Sequence, residues 1–486
     1  MTTLRFAKDA PALLRGADTL LVLASRAAFQ NARFAKGLPV GLRAAVKAAA
    51  AGVAPGDGGA TRATLVDGKP GRLIVGVLPD AVSRHNCPAR AEAVRTVTRA
   101  AGIAGERAAA VLCVLDRAEH QVPVVNAVGR ALPLFSRKSG QKRSRTVRLA
   151  AVTRSGEPVT IDKTTQVTVD AARQAARLVD TPPTEMHPGA MAKEARAMLR
   201  GVDHVRVTEL AGAKLLDAGL GGVWGVGRCA VESPRLLVAT YAPPRASGAP
   251  VALVGKGVTY DTGGLHLKGR GGMEGMKGDM GGSAATLGAF RVLAERGVRR
   301  KLYLVLALAE NAIGPQAYKP DDILTMHSGK TVEINNTDAE GRLLLADGVS
   351  WAVRKLGAEI VLDAATLTGA QLVATGLVHA AVVSNDAALE QLMGDAGRAS
   401  GDLVHPLPFA PELYKKEFRS PIADMRNSVK NRGNAQSSCA AQFIWWHIED
   451  TDARWVHVDL AGPAWREDRG TGFGVALLAE AVRRLK

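Results

Sequence analysis

The 486-residue chain is too long for one ordinary hydrophobic core, so length alone leads us to expect two domains. With 47% apolar and 22% charged residues it has the composition of a folded globular protein, which excludes extensive disorder, and aromatics make up only 4%. A formal charge of +17 favours contact with nucleic acid, anionic membrane surfaces and acidic proteins but indicates neither fold nor activity.

Near the N-terminus the apolar run Leu20 to Leu23 meets Arg26 within a few residues. That is too short for a signal-peptide core or a membrane span, so no membrane association and a cytoplasmic location are expected. Leu73 to Leu78 and Ala109 to Leu115 read as buried strands, with an Ala-rich helix, Ala89 to Ala101, between them. The densest basic stretch holds Arg137, Lys138, Lys142, Arg143, Arg145 and Arg148, and its Ser and Gly content reads as a solvated loop. No recognition helix or aromatic stacking motif accompanies it, so nucleic-acid binding is possible but not expected. A helical pattern runs from Asp170 through Leu178 and stops at Thr181-Pro182-Pro183, because each Pro disfavours helix in the residue before it. We therefore expect an N-terminal α/β domain over 1–165, a linking helix and loop over 166–190, and a catalytic domain over 191–486. Cys87, Cys113, Cys229 and Cys439 are scattered and never form C-x-x-C, which excludes a disulfide scaffold and a zinc ribbon and fits a reducing compartment.

The second half alternates strand and helix more clearly. Val251 to Val254 reads as a strand followed by a glycine-rich loop, and Leu287, Phe290 and Ala294 mark a helical face ending at Gly297. Leu302 to Leu308 is a continuous apolar run, as in a strand buried on both faces. A second helix shows Leu345, Val349, Ala352 and Leu356 before Gly357, and Ile360 to Leu362 resumes the sheet. The expected fold class is α/β: a smaller N-terminal α/β domain, then a larger C-terminal α/β catalytic domain with a mixed, largely parallel sheet flanked by helices. Ligands gather beyond the carboxyl ends of strands in such a sheet.

Two polar clusters fall there. The first is Gly255-Lys256-Gly257-Val258-Thr259-Tyr260-Asp261-Thr262-Gly263-Gly264, with Lys268 and then Lys277-Gly278-Asp279. Glycines crowd its charged residues, as close approach of backbone to an ion or ligand requires. The second is Asn335-Asn336-Thr337-Asp338-Ala339-Glu340-Gly341-Arg342. In an extended segment Asp338, Glu340 and Arg342 point the same way, so an irregular loop presenting all three is expected, just ahead of a helix beginning near Leu343. The carboxylates of Asp261, Asp279, Asp338 and Glu340 would repel one another in a shared crevice without cations. Two divalent ions, roughly 3.5–4 Å apart in hydrolytic sites of this kind, would offset four negative charges.

The stretch from Val254 to Gly288 and the run from Asn336 to Leu343 resemble the signatures of the leucyl (cytosol) aminopeptidase family of dinuclear metallopeptidases. The resemblance extends to Asp180-Thr181-Pro182-Pro183, Ala365-Thr366-Leu367-Thr368-Gly369-Ala370 and Asp424-Met425-Arg426-Asn427. Asn427 to Arg432 and Trp445-Trp446-His447 are more similar to the branch described only as probable aminopeptidases. The resemblance implies an enzyme that releases the N-terminal residue of peptides with a free N-terminus, through a water bridging two divalent metal ions, Mn or Zn. It implies that Lys256, Asp261, Asp279, Asp338 and Glu340 ligate the metals, with Asp261 and Glu340 shared. Lys268 and Arg342 would be catalytic, Arg342 holding a bicarbonate that relays a proton. Met276, Asn336, Thr366, Leu367 and Gly369 would bind substrate, and the assembly would be a cytoplasmic homohexamer.

Other motifs point elsewhere only weakly. Gly329-Lys330-Thr331 has Leu324 where a phosphate-binding loop needs Gly. Gly225 to Ala230 matches a dinucleotide fingerprint loosely and reads as a tight turn, and Gly281 to Ala285 misses the last glycine of a nucleophile elbow. His457 and Asp459, two apart in a strand from Trp455 to Leu460, could be ligands but read more readily as a satisfied structural pair. The competing functions are a DNA-binding regulator and a two-metal phosphoesterase, and the second disagrees with a cluster that has no histidine among its ligands.

Overall fold

The computed structural model describes residues 2–139 and 144–485. Lys142 and Arg143 of the basic stretch lie outside the described residues. The chain divides into two compact units, one of residues 1–173 with 397–403 and the other of residues 174–396 with 404–486.

The first unit is built on seven strands: β1 (Thr2–Phe6), β2 (Thr19–Ser25), β3 (Ala60–Leu65), β4 (Arg72–Leu78), β5 (Ala108–Leu115), β6 (Arg145–Thr153) and β7 (Pro158–Val159). Their order is β1-β6-β5-β2-β4-β3, with β7 beside β6, and all pairings are parallel except β3 with β4 and β7 with β6. β2 is buried along its whole length, as its uninterrupted apolar sequence requires of a strand covered on both faces. Arg145 and Arg148 belong to β6 rather than to a basic loop: alternate Val147 and Leu149 are fully buried, and that period of two sets a strand. Residues 1–173 hold 27 Lys and Arg against 12 Asp and Glu, a net +15, so almost all of the chain's excess charge belongs to this unit.

The second unit carries an eight-stranded sheet: β8 (Val205–Ala211), β9 (Arg235–Tyr241), β10 (Val251–Asp261), β11 (Leu302–Asn311), β14 (Ile360–Ala365), β15 (Ala380–Ser384), β16 (Val404–Pro406) and β18 (Arg454–Asp459). A small side sheet is made of β12 (Ile323–Thr325), β13 (Thr331–Glu333) and β17 (Met425–Arg426). In the main order β16-β15-β18-β14-β10-β11-β9-β8 the four central strands are mutually parallel, while β15, β9 and β8 run antiparallel to their inner neighbours. The mixed, largely parallel sheet expected from the sequence is therefore present.

Three local expectations are corrected. Gly255 to Asp261 is not loop but the second half of β10. A Cβ on Gly255 would lie 2.5 Å from Ser283 Cα, and one on Gly257 2.4 Å from Leu308 Cδ2. These glycines therefore serve close packing within the sheet and against helix Gly281–Glu295, a role that glycine also plays inside strands. Gly225 to Gly227 ends a short helix, Gly221–Gly227, instead of forming a tight turn. A Cβ on Gly221 or Gly225 would strike Thr325 O or Leu324 Cδ1, so here too glycine marks close packing. The linking helix begins at Lys163, earlier than Asp170, and ends at Asp180 before the prolines.

Beside helix Gly341–Arg354 lie two histidines whose rings are held neutral. His447 is fully buried and pushed down to about 3 by burial and then by Lys330 and Arg354, and its Nδ1 pairs with Ser328 Oγ at 2.7 Å. His327, pushed down to about 4 by burial, pairs with Ser350 Oγ at 2.9 Å. Because both folded values lie below the ordinary 6.5, the unfolded chain takes up protons first as pH falls. Their contribution to stability is complete above pH 6.5 and declines from there toward pH 4. Measured by denaturant unfolding, the stability of the wild type relative to His447→Asn should fall between pH 6.5 and 5 by up to about 1.4 kcal/mol per pH unit, a comparison in which the oppositely shifted buried carboxylates cancel.

Candidate metal centre

The site lies at the carboxyl ends of β10, β11 and β14, the usual position for a ligand site in such a sheet. β10 and β11 stay in register to Val258, and a bulge then brings Asp261 opposite Asn311. Bulges re-aim side chains near active sites. Asp261 Oδ1 accepts from Asn311 Nδ2 and from the Gly263 N–H, both at 2.8 Å. The turn that follows, with Gly263 and Gly264 at φ 87° and 65°, presents Lys268.

Lys256 projects from β10 between its two glycines and is 3% exposed. Its Nζ lies 2.7 Å from Asp279 Oδ1, 3.0 Å from Glu340 Oε1 and 2.9 Å from Thr366 O. A Cβ on Gly341 would sit 2.5 Å from Lys256 Cε, so that glycine leaves the lysine room to pass. Lys268 Nζ lies 2.7 Å from Asp261 Oδ2 and 2.5 Å from Asp338 Oδ1. The five expected ligands and Lys268 are thus brought into one cluster, and one oxygen each from Asp261, Asp338 and Glu340 lie within 4.8 Å of one another.

The electrostatics are those of a site with surplus negative charge. Glu340 is pushed up to about 8 by burial and then by Asp261, against the pull of Lys256. Asp279 is pushed up to about 6, again by burial first, with Lys256 opposing and Asp261 adding. Burial also raises Asp338. Burial alone would lower both lysines, but the adjoining carboxylates more than offset it and hold both above the usual lysine range. Asp279 Oδ2 and Glu340 Oε2 are buried with no hydrogen-bond partner among the described residues. Unpaired buried carboxylate oxygens beside crowded anions are suitable donors for hard or borderline divalent cations, so these residues fit a metal pair.

Arg342 stands apart from the loop expected to carry it. It is the second residue of helix Gly341–Arg354, because the chain turns at residues 337–338 and Glu340 already has helical backbone angles. It is 5% exposed, donates from Nη1 to Asn427 O at 3.0 Å, and leaves Nε buried without a partner among the described residues. Burial lowers it to about 10.

Of the expected substrate residues, Thr366 is hydrogen-bonded at the centre, its hydroxyl donating to Asp279 Oδ1 at 2.8 Å. Asn336 caps Asp338 N–H through Oδ1 at 3.0 Å, and Leu367 N–H donates to Asp459 Oδ1 at 3.1 Å. A Cβ on Gly369 would meet nothing within 4 Å, and Met276 opens the short turn Met276–Gly278 that leads to Asp279. His457 and Asp459 do not form the satisfied pair expected: His457 Nδ1 lies 2.5 Å from Asp363 Oδ1, Asp459 accepts from Thr368 Oγ1 at 2.6 Å, and His457 Nε2 is buried with no partner among the described residues.

Two supporting residues had no assigned role. Asn311 ties Asp261 to Thr337 O, at 2.8 and 3.0 Å, and the only sequence signal for it was its place at the end of an apolar strand. Asn427 accepts the Asn335 and Asn336 N–H groups on Oδ1 and donates from Nδ2 to Asn336 O and Ala339 O, pinning the second loop from four points. Asn311→Ala should weaken Mn²⁺ affinity about 10–100-fold in a calorimetric titration, the usual loss when a ligand's supporting partner is removed. Unchanged affinity would show that Asp261 is held by other groups.

Residues 173–479 match the catalytic domain of the cytosol aminopeptidase family, and residues 30–141 match an N-terminal domain of the M17 aminopeptidases. The chain is 46% identical over 412 residues to the human protein "Probable aminopeptidase NPEPL1", covering 83% of this chain and 78% of that one. Leucyl aminopeptidase from Trypanosoma cruzi superposes with a TM-score of 0.91 at 36% identity, covering 99% of this chain and 97% of the other. The Trypanosoma brucei enzyme in complex with bestatin gives 0.92 at 35% identity, covering 100% and 96%. The chain belongs to the cytosol, or leucyl, aminopeptidase family and is a metal-dependent peptidase.

Proposed function

We propose that this protein removes the N-terminal residue from peptides at a dinuclear metal centre held by Lys256, Asp261, Asp279, Asp338 and Glu340. The observation that carries the reading is the convergence of Asp261, Asp338 and Glu340 oxygens within 4.8 Å, beside the unpartnered oxygens of Asp279 and Glu340. Two divalent ions, Mn or Zn, would supply a bridging water acidic enough to attack at neutral pH and would polarise the scissile carbonyl. Lys256 would ligate as a neutral amine, so metal uptake would release its proton. Lys268 stays charged between Asp261 and Asp338 and would stabilise negative charge developing on the carbonyl oxygen. Arg342, with a buried and unpartnered Nε, would hold the bicarbonate that serves as proton relay. Met276, Asn336, Thr366, Leu367 and Gly369 would surround the first residue of the substrate.

A cytoplasmic homohexamer completes this reading. Four free cysteines fit a reducing compartment, and among the described residues no helix is long and apolar enough to cross a membrane. The net +15 of residues 1–173 would attract polyanions in general, and nothing at the catalytic cluster requires one.

Dialysis against a strong chelator should abolish hydrolysis of a leucyl amide, and Mn²⁺ or Zn²⁺ should restore it. An N-acetylated peptide should be cut far more slowly than its free-amine twin. Full activity in metal-free protein would overturn the metal centre, and equal rates on the two peptides would overturn the exopeptidase reading.

Arg342→Ala should lower kcat by about 10²–10⁴-fold, the range for lost proton-transfer assistance, with metal content near that of the wild type. Asp279→Ala should lose metal and activity together. Elemental analysis alongside kcat separates the two, and an empty site in Arg342→Ala would remove the proposed role of the arginine.

A further inference from the structure

We propose that His266 is a positioning residue that locks the turn carrying Lys268 onto the loop carrying Asp338. The proposal deepens the aminopeptidase reading and rests on it. The two segments come from distant parts of the chain. The turn leaves the carboxyl end of β10 and is closed on itself by Lys268 N–H, which donates to Thr262 O at 3.0 Å. The loop runs into helix Gly341–Arg354 and hangs on Thr337, which is fully buried.

Every polar group of Thr337 can be accounted for. Its carbonyl accepts from Asn311 Nδ2 at 3.0 Å and from the Tyr318 hydroxyl at 2.5 Å. Its hydroxyl donates to Gly263 O at 2.6 Å and accepts the His266 backbone N–H at 2.8 Å. Its own backbone N–H, shut away from water, donates to His266 Nδ1 at 3.1 Å. A buried N–H left without an acceptor is costly, so the imidazole completes the set.

The tautomer follows from that bond. A ring nitrogen that accepts an N–H carries no hydrogen, so the ring hydrogen of His266 sits on Nε2. The 3.3 Å approach of Nδ1 to Thr337 Oγ1 adds no further bond, since the hydroxyl hydrogen already points to Gly263 O. His266 is itself exposed, so apolar packing does not fix its ring. What it fixes is the spacing of two loops whose charged ends meet at Lys268, 2.7 Å from Asp261 and 2.5 Å from Asp338. A displacement of about 1 Å at such a point costs on the order of 10²-fold in rate.

Asn carries an acceptor oxygen near the place of a histidine Nδ1, whereas Gln places its amide near Nε2. With Mn²⁺-loaded enzyme and a leucyl amide, His266→Ala and His266→Gln should each lower kcat about 10–100-fold, the loss typical of removing an outer partner of a metal site. KM should change little, and His266→Asn should stay within a few-fold of wild type. Nitrogen-15 spectra of the histidine rings should place the His266 proton on Nε2. Wild-type kcat in His266→Ala, a fall in His266→Asn equal to that in His266→Ala, or a proton on Nδ1 would each overturn the proposal. Should His266→Ala fail to fold, the contrast between Asn and Gln decides by itself. Failure of the wild type to hydrolyse any aminoacyl amide would instead strike the aminopeptidase reading, leaving the tautomer measurement as the test of the latch.

Discussion

Four carboxylates confined to one crevice impose the constraint around which the second unit is arranged. Asp261, Asp279 and Glu340 are nearly inaccessible to water, so their charges cannot be screened by solvent and must be answered by cations in contact. Lys256 and Lys268 supply two positive charges against four carboxylates, and burial first, then the neighbouring carboxylates, still push Glu340 and Asp279 up. In a globular core this arrangement would be a liability that two hydrophobic residues could relieve. As a seat for divalent cations it is economical, because the same electrostatic deficit that destabilises the protein alone becomes affinity for the ions.

Holding like charges together requires a backbone that cannot relax away from them. β10 provides it, flanked on both sides by parallel strands and carrying two glycines that let helix Gly281–Glu295 and Leu308 press against the chain. Lys256, fixed between those glycines, reaches past Gly341 into the crevice. The second loop has no ladder to hold it, and amide side chains take the place of strand pairing. Asn427 contributes four hydrogen bonds to it and Asn311 one, with a second to Asp261, and neutral amides are suited to this because they add no charge to a site that already has too much.

Much of this was legible in the sequence, for identifiable reasons. Long apolar runs such as Leu302 to Leu308 read as strands buried on both faces, and charged residues embedded among glycines, beside a second acidic cluster, read as a site. What escaped was mostly a matter of context. Glycine inside Gly255 to Asp261 suggests a loop when read alone, and only the helix packed on it shows why a strand needs glycine there. Arg342 follows the alternation of Asp338 and Glu340 on paper, yet the chain turns at residues 337–338 and the helix begins at Gly341, so no period of two is established there. Asn427 stood in a family-resembling motif and Asn311 at the end of an apolar strand, yet neither these nor His266 showed a role, because a supporting residue is defined by its partner across the fold and not by its neighbours in the chain.

The two lysines, similar in sequence context, end in different surroundings, and the difference gives the crevice a direction. The side chain of Lys256 is 3% exposed, against 2% for Glu340 and 8% for Asp279, forming the closed floor. Lys268 is 16% exposed and Asp338 37%, forming the open side. A lysine sealed among carboxylates can exchange its proton only for another cation, which suits a ligand. A lysine at the mouth keeps its ammonium because solvent and two aspartates stabilise it, which suits a group that meets the substrate carbonyl. Two residues of one type, twelve positions apart in the chain and lining one crevice, thus differ in burial in the sense that the proposed ligating and polarising roles require.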